Sequence, residues 1–154
     1  MILEPFMLKP EYREYIWGGT RIRPEAERTA EAWVVYEGNL IADGEYAGKT
    51  LSEAVALTEE VLLGGAVMDR TGKRFPLLIK LLDCADWLSL QVHPNNEQAE
   101  FWEGPEHFGK TEGWFIAEAD EGAELISGFK PGTTKAEISD AVGTSMLLEI
   151  ANRR

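Results

Sequence analysis

Cysteine is almost absent from this chain: Cys84 is the only one in 154 residues. No intrachain disulfide can form, which excludes a disulfide-stapled scaffold and fits a reducing cytoplasm. Cys84 itself reads as a small buried hydrophobe beside a strand. Basic residues are also in deficit, 15 against 27 acidic, for a net charge of −12. That balance repels nucleic acid and anionic membranes at long range. It disfavours an anionic substrate as well, unless basic groups gather at one site. No apolar run approaches the roughly 20 residues of a membrane span. The start, Met1-Ile-Leu-Glu-Pro-Phe, has neither a basic n-region nor a long apolar h-region, so it does not read as a signal peptide. Repeats, low-complexity tracts and linkers are missing too.

What remains is the composition of a soluble globular protein, with 44% hydrophobic and 27% charged residues. The length suits a single domain, residues 1–154, with a core of its own. Five Trp and six Phe predict an aromatic-rich core or cleft.

Residues 6–23 read as irregular chain, with Trp17-Gly18-Gly19 suited to a turn. Ala32 to Tyr36 is β-branched and aromatic and predicts a strand. Thr50-Leu-Ser-Glu53 is a capping box and opens a helix over about 51–57. A second helical turn follows from Thr58 to Leu63, stopped by Gly64-Gly65. Phe75 to Leu82 predicts a strand interrupted by Lys80, and Leu88 to His93 an alternating one. Asn95 or Asn96 caps a short helix to Trp102. Gly113–Ala117 and Glu124–Gly128 predict two more strands. Thr134-Lys-Ala-Glu137 is another capping box, with a helix to about Val142, and Met146 to Ile150 starts a further one. Strands outnumber helices, which favours a β-sandwich or barrel with attached helices.

Chemistry gathers in Leu88-Ser-Leu-Gln-Val-His-Pro94. Along a strand, alternate side chains share a face, so Leu88, Leu90 and Val92 point to a core. Ser89, Gln91 and His93 point the other way, at steps of about 7 Å. A polar row is costly to bury without partners, and a metal gathering Gln91 and His93 is one solution. In Gly109-Lys-Thr-Glu-Gly-Trp-Phe-Ile116, an extended chain puts Lys110, Glu112 and Trp114 on one face. Glu112 can then complete a mixed oxygen and nitrogen site, which suits Zn²⁺. Lys110 supplies positive charge where an anion could be held. The ordinary alternatives stand beside this reading: Lys110 and Glu112 also fit a solvated face, and His93 a hydrogen-bonded strand end. His107 sits in a loop-like stretch.

In this order, Lys9-Pro10, Ile16-Trp-Gly-Gly19, Ala30-Glu-Ala-Trp33, Gly48-Lys-Thr-Leu51, Phe75-Pro-Leu-Leu-Ile-Lys80, Leu88–Pro94, Gly109-Lys-Thr-Glu112 and Glu124-Leu-Ile-Ser-Gly128 resemble the type I mannose-6-phosphate isomerases, in their short bacterial form. The resemblance covers nearly the whole chain. It implies a mainly β, cupin-like barrel or jelly roll with a few short helices. It implies Gln91, His93 and Glu112 as zinc ligands and Lys110 as a catalytic residue lining the sugar-phosphate site. The reaction implied interconverts mannose 6-phosphate and fructose 6-phosphate through an enediol. Trp17 and Glu97 are further candidates for the neighbourhood of the cleft.

The family pattern runs on beyond the segments seen here, to a fourth ligand, a histidine, and a substrate-binding arginine. Asn96 also stands where the family has an acidic residue. The expectation is therefore an incomplete barrel with open strand edges, which invite pairing with another chain. That chain would be a second copy or a separate carboxy-terminal half. The alternative function is a catalytically impaired fragment or a small metal- or sugar-phosphate-binding cupin module.

Overall fold

The computed structural model describes residues 3–26, 28–58 and 60–154. Met1 and Ile2, at the head of the sequence read for a signal, lie outside the described residues, as does Glu59 in the expected second helical turn. Two compact units divide at Leu88 and Ser89. The first holds β1 (Glu11–Arg13), β2 (Glu31–Val35), α1 (Leu51–Thr58), α2 (Glu60–Leu63), α3 (Gly65–Thr71) and β3 (Ile79–Leu82). The second holds α4 (Asn96–Glu103), β4 (Ile126–Phe129), α5 (Lys135–Ala141), α6 (Met146–Ile150) and β5 (Ala151–Arg153).

In the first unit the strands form one antiparallel sheet in the order β1-β2-β3. Glu11 faces Trp33, and Trp33 faces Lys80, with a register shift between Trp33 and Val35. Lys80, the charge that interrupts an apolar strand, has its reason here. Its Nζ lies 3.1 Å from Glu31 Oε1, and Trp33 Nε1 donates to Glu31 Oε2 at 2.6 Å. Glu31 is thereby buried with both carboxylate oxygens satisfied. The core behind the sheet is built from Ala30, Ala32, Ile41, Leu51, Ala54 and Val55. The Trp17-Gly18-Gly19 turn packs against it. A Cβ on Gly18 would come within 2.6 Å of Ala30 N, so only glycine fits.

Short, local signals hold. The Thr50 capping box forms, with Glu53 N–H donating to Thr50 Oγ1 at 3.1 Å and Thr50 N–H to Glu53 Oε2 at 2.7 Å. Several expectations do not hold. β1 lies in the stretch read as irregular, because its pairing partner β2 is 20 residues away in sequence. Gly64 ends α2, as expected, but its φ of 78° also lets it serve as the N-cap of α3, a helix not foreseen. Leu88–His93 and Gly113–Ala117 carry no ladder partner among the described residues, so they are not strands. A strand requires a neighbour as well as a pattern. As a result five strands stand beside six helices among the described residues, and strands do not outnumber helices.

The buried core is not aromatic: its apolar members are mostly alanine. Val92 is 85% exposed and Phe115 91%, contrary to the inward face expected for Val92. Leu90 is exposed with it. These residues sit on the segments that lack a ladder, where no second layer covers them. Cys84 is exposed rather than buried. Partial shielding of its thiol, with Asp83 and Glu31 nearby, pushes its pKa up, which makes it a poor nucleophile at neutral pH.

In the second unit β4 and β5 pair as an antiparallel ribbon. α5 opens on the expected capping box. Glu137 N–H donates to Thr134 Oγ1 at 3.3 Å, and Thr134 N–H to Glu137 Oε2 at 2.7 Å. The Thr134 backbone N–H and hydroxyl hold the Glu137 carboxyl below its usual range. A depressed carboxylate stabilises the fold above its ordinary pKa, and that contribution fades as pH falls through the folded value. Thr134→Ala is expected to cost about 1 kcal/mol near neutral pH. Urea denaturation at neutral and acidic pH checks this: the gap between variant and parent should narrow once Glu137 is protonated.

Candidate metal and sugar-phosphate site

All four residues singled out by spacing lie in the second unit, on chain without regular structure. Asn95 caps α4 and fixes where the first of these segments ends. Its side chain accepts from Gln98 N–H at 2.9 Å, and Gln98 Oε1 accepts from Asn95 N–H at 3.0 Å. Pro94 stands between His93 and this cap.

The loop after α4 returns to that point. His93 Nε2 stands 2.8 Å from Glu112 Oε2, and Lys110 Nζ stands 3.3 Å from the same oxygen. The His93 and Glu112 side chains are 24% and 22% exposed, so the pair is partly shielded yet reachable from solvent. Gln91, two residues upstream, turns its carboxamide nitrogen onto Ser89 Oγ at 3.1 Å. The structure therefore joins three of the four candidates, His93, Lys110 and Glu112, while Gln91 shares their segment and bonds within it. His107 lies exposed in the intervening loop. Trp17 belongs to the first unit, where it stacks on Tyr15 at 5.5 Å. Among the described residues, no group of three or more His, Cys, Asp or Glu side chains is placed to hold a metal ion.

The donor chemistry nevertheless suits a divalent cation. An imidazole nitrogen and a carboxylate oxygen converge at one point, with a carboxamide oxygen available two residues away. Donors bound about 2.1 Å from one tetrahedral zinc lie roughly 3.4 Å apart. The 2.8 Å pair would open by only about half an ångström to admit the ion.

Sequence reasoning missed what holds the two segments together. Asn96 Oδ1 accepts the Gly109 N–H at 2.9 Å, and Pro94 O accepts the Lys110 N–H at 3.1 Å. Gly109 passes so close that a Cβ would lie 2.4 Å from Asn95 C and 2.6 Å from Pro94 O. The only sequence signal was a glycine immediately before Lys110.

Residues 6–119 match the family described as phosphomannose isomerase type I, catalytic domain. The chain is 41% identical over 135 residues to a mannose-6-phosphate isomerase of Streptococcus mutans, covering 81% of this chain and 40% of that protein. It is 38% identical over 151 residues to the mannose-6-phosphate isomerase ManA of Bacillus subtilis, covering 92% and 46% respectively. The crystal structure of the mannose 6-phosphate isomerase from Bacillus subtilis superposes with a TM-score of 0.83 at 32% identity, over 99% of this chain and 49% of that one. The chain thus spans less than half the length of these two curated relatives.

Proposed function

This chain belongs to the type I phosphomannose isomerase family, and from that membership we propose that it carries the metal-binding part of a site interconverting mannose 6-phosphate and fructose 6-phosphate. The observation that supports it most is the meeting of His93, Glu112 and Lys110 within 3.3 Å. In this reading Gln91, His93 and Glu112 hold Zn²⁺, which when bound polarises the sugar oxygens at C1 and C2. Lys110 offers an ammonium to an anionic substrate in a chain whose net charge is −12. Without that local cation the phosphate would be repelled. Isomerisation moves a proton between C1 and C2 through an enediol, with no net change in oxidation state of the sugar. The free Cys84 and the absence of a long apolar helix among the described residues are compatible with a cytoplasmic enzyme.

The test is turnover of mannose 6-phosphate by the purified chain, zinc-loaded and after chelation. Chelator-sensitive isomerisation is the expected result. Lys110→Ala should raise KM for the sugar phosphate about tenfold or more, as expected for loss of a charge-assisted contact worth about 1.5–3 kcal/mol. No turnover by a zinc-bound chain would reject activity of this chain alone.

A second reading has its own observation. The segments 88–93 and 113–117 carry no ladder partners among the described residues, and Val92 and Phe115 are almost fully exposed. Such surfaces call for cover. In this reading the cupin barrel closes only when a carboxy-terminal half or a second copy pairs with these segments, and the isolated chain is an impaired or purely binding module. Light scattering separates the two, since a stable, strictly monomeric chain would count against a need for cover.

A further inference from the structure

We infer that Asn96 and Gly109 are positioning residues that lace the Glu112 segment onto the His93 segment and so set the spacing of the metal donors. The inference rests on the metal-site reading for its consequence, but its geometry stands alone. Between His93 and Glu112 lie 18 residues, including the whole of α4. The 2.8 Å pair alone does not fix this approach, because closing a loop of this size costs entropy that a single partly exposed pair does not offset. Three contacts supply the fixing. The Asn96 carboxamide accepts the Gly109 N–H at 2.9 Å. The Pro94 carbonyl accepts the Lys110 N–H at 3.1 Å. Gly109 lies flat against the Asn95 and Pro94 backbone in a space no Cβ could share.

The register follows from this lace. His93 is one residue before Pro94, and Glu112 is two residues after Lys110. Bonding Pro94 to Lys110 therefore brings the two segments close enough for Glu112 Oε2 to stand 2.8 Å from His93 Nε2. Asn96 is suited to the role because its side-chain oxygen accepts the Gly109 N–H, as a carboxylate oxygen at the same position would. It is also distinct from Asn95, whose side chain is engaged with Gln98 in the helix cap.

The experiment compares Asn96→Ala, Asn96→Asp and Asn95→Ala in the full chain. Co²⁺ affinity is read from its d–d absorption, and Gly109 amide exchange and the His93 ring nitrogens by NMR. Asn96→Ala should weaken Co²⁺ binding about ten- to a hundredfold, as loss of an outer-shell partner does. It should also speed Gly109 exchange and shift the His93 resonances. Asn96→Asp keeps the acceptor and should restore slow exchange and Co²⁺ affinity to within about threefold. Asn95→Ala should lower the unfolding midpoint through its lost cap while leaving all three readouts near the parent values. Two outcomes would overturn the inference: unchanged Gly109 exchange and His93 resonances in Asn96→Ala, or equal changes in Asn95→Ala. If the parent chain binds no Co²⁺, the metal reading fails, and the NMR readouts still decide whether the lace sets the His93–Glu112 approach.

Discussion

His93→Ala is expected to strip zinc from the chain, lowering affinity by more than about a hundredfold. Loss of a direct ligand should exceed the ten- to hundredfold effect of losing an outer-shell partner. Glu112 would keep Lys110, 3.3 Å away, as a counter-charge. That pair neutralises the carboxylate and competes with any cation for it. Gln91 alone, a neutral oxygen donor, would not hold zinc against water. Metal content of the dialysed protein, measured by mass spectrometry, gives the answer directly. With both proteins stripped of metal, the variant should unfold within about 1 kcal/mol of the parent, because a partly exposed pair contributes no more than that. Unchanged metal stoichiometry would place zinc elsewhere and remove the basis for assigning Gln91 and Glu112. Gln91→Ala provides a graded comparison: its expected loss is smaller, since the carboxamide is the weakest donor of the three.

Helix starts were the most legible feature, because each capping box is a signal four residues long. Thr50 with Glu53 and Thr134 with Glu137 form as the sequence predicts, and Asn95 takes the cap left open between it and Asn96. Strands were less legible. Ala32 to Tyr36 was recognisable by its β-branched and aromatic content, yet β1 was not, since three residues of Glu-Tyr-Arg carry no period. The alternation of Leu88–His93 is real in the sequence, but no neighbour among the described residues turns it into a ladder. Hydrophobic pattern specifies which face should be covered, not whether cover is present. At the site, the residue types and their spacing pointed to His93, Glu112 and Lys110, which do meet. The Asn96–Gly109 bond was invisible for a simple reason: it joins positions 13 apart through a backbone N–H, and any residue but proline offers one.

Asn39→Ala should destabilise the first unit by about 3 kcal/mol, among the largest effects expected of any substitution outside the site. Asn39 is 1% exposed, yet it carries a carboxamide. Its Nδ2 donates to Lys9 O and to Trp33 O, both at 3.0 Å, and its Oδ1 accepts the Tyr36 N–H at 2.6 Å. Its own carbonyl accepts the Leu51 N–H at 2.9 Å, at the start of α1. One side chain thus ties the residues before β1, the end of β2 and the turn that follows. Truncation takes a partner from three backbone groups, at about 1–3 kcal/mol for each that neither water nor another group then satisfies. Lys9 is exposed, so its carbonyl can rehydrate, and the total stays near the top of the range for one such group rather than at the sum over three. Asn39→Asp tests the assignment of the amide. At neutral pH it would set a carboxylate oxygen against the Lys9 and Trp33 carbonyls, so its folded pKa is raised. Stability should then improve as pH falls below that raised value, where the protonated acid can donate to one carbonyl. Urea denaturation of both variants between pH 4 and 7 reads the result. A loss below about 1 kcal/mol for Asn39→Ala, or no recovery of Asn39→Asp on acidification, would mean that the three contacts are incidental to the fold.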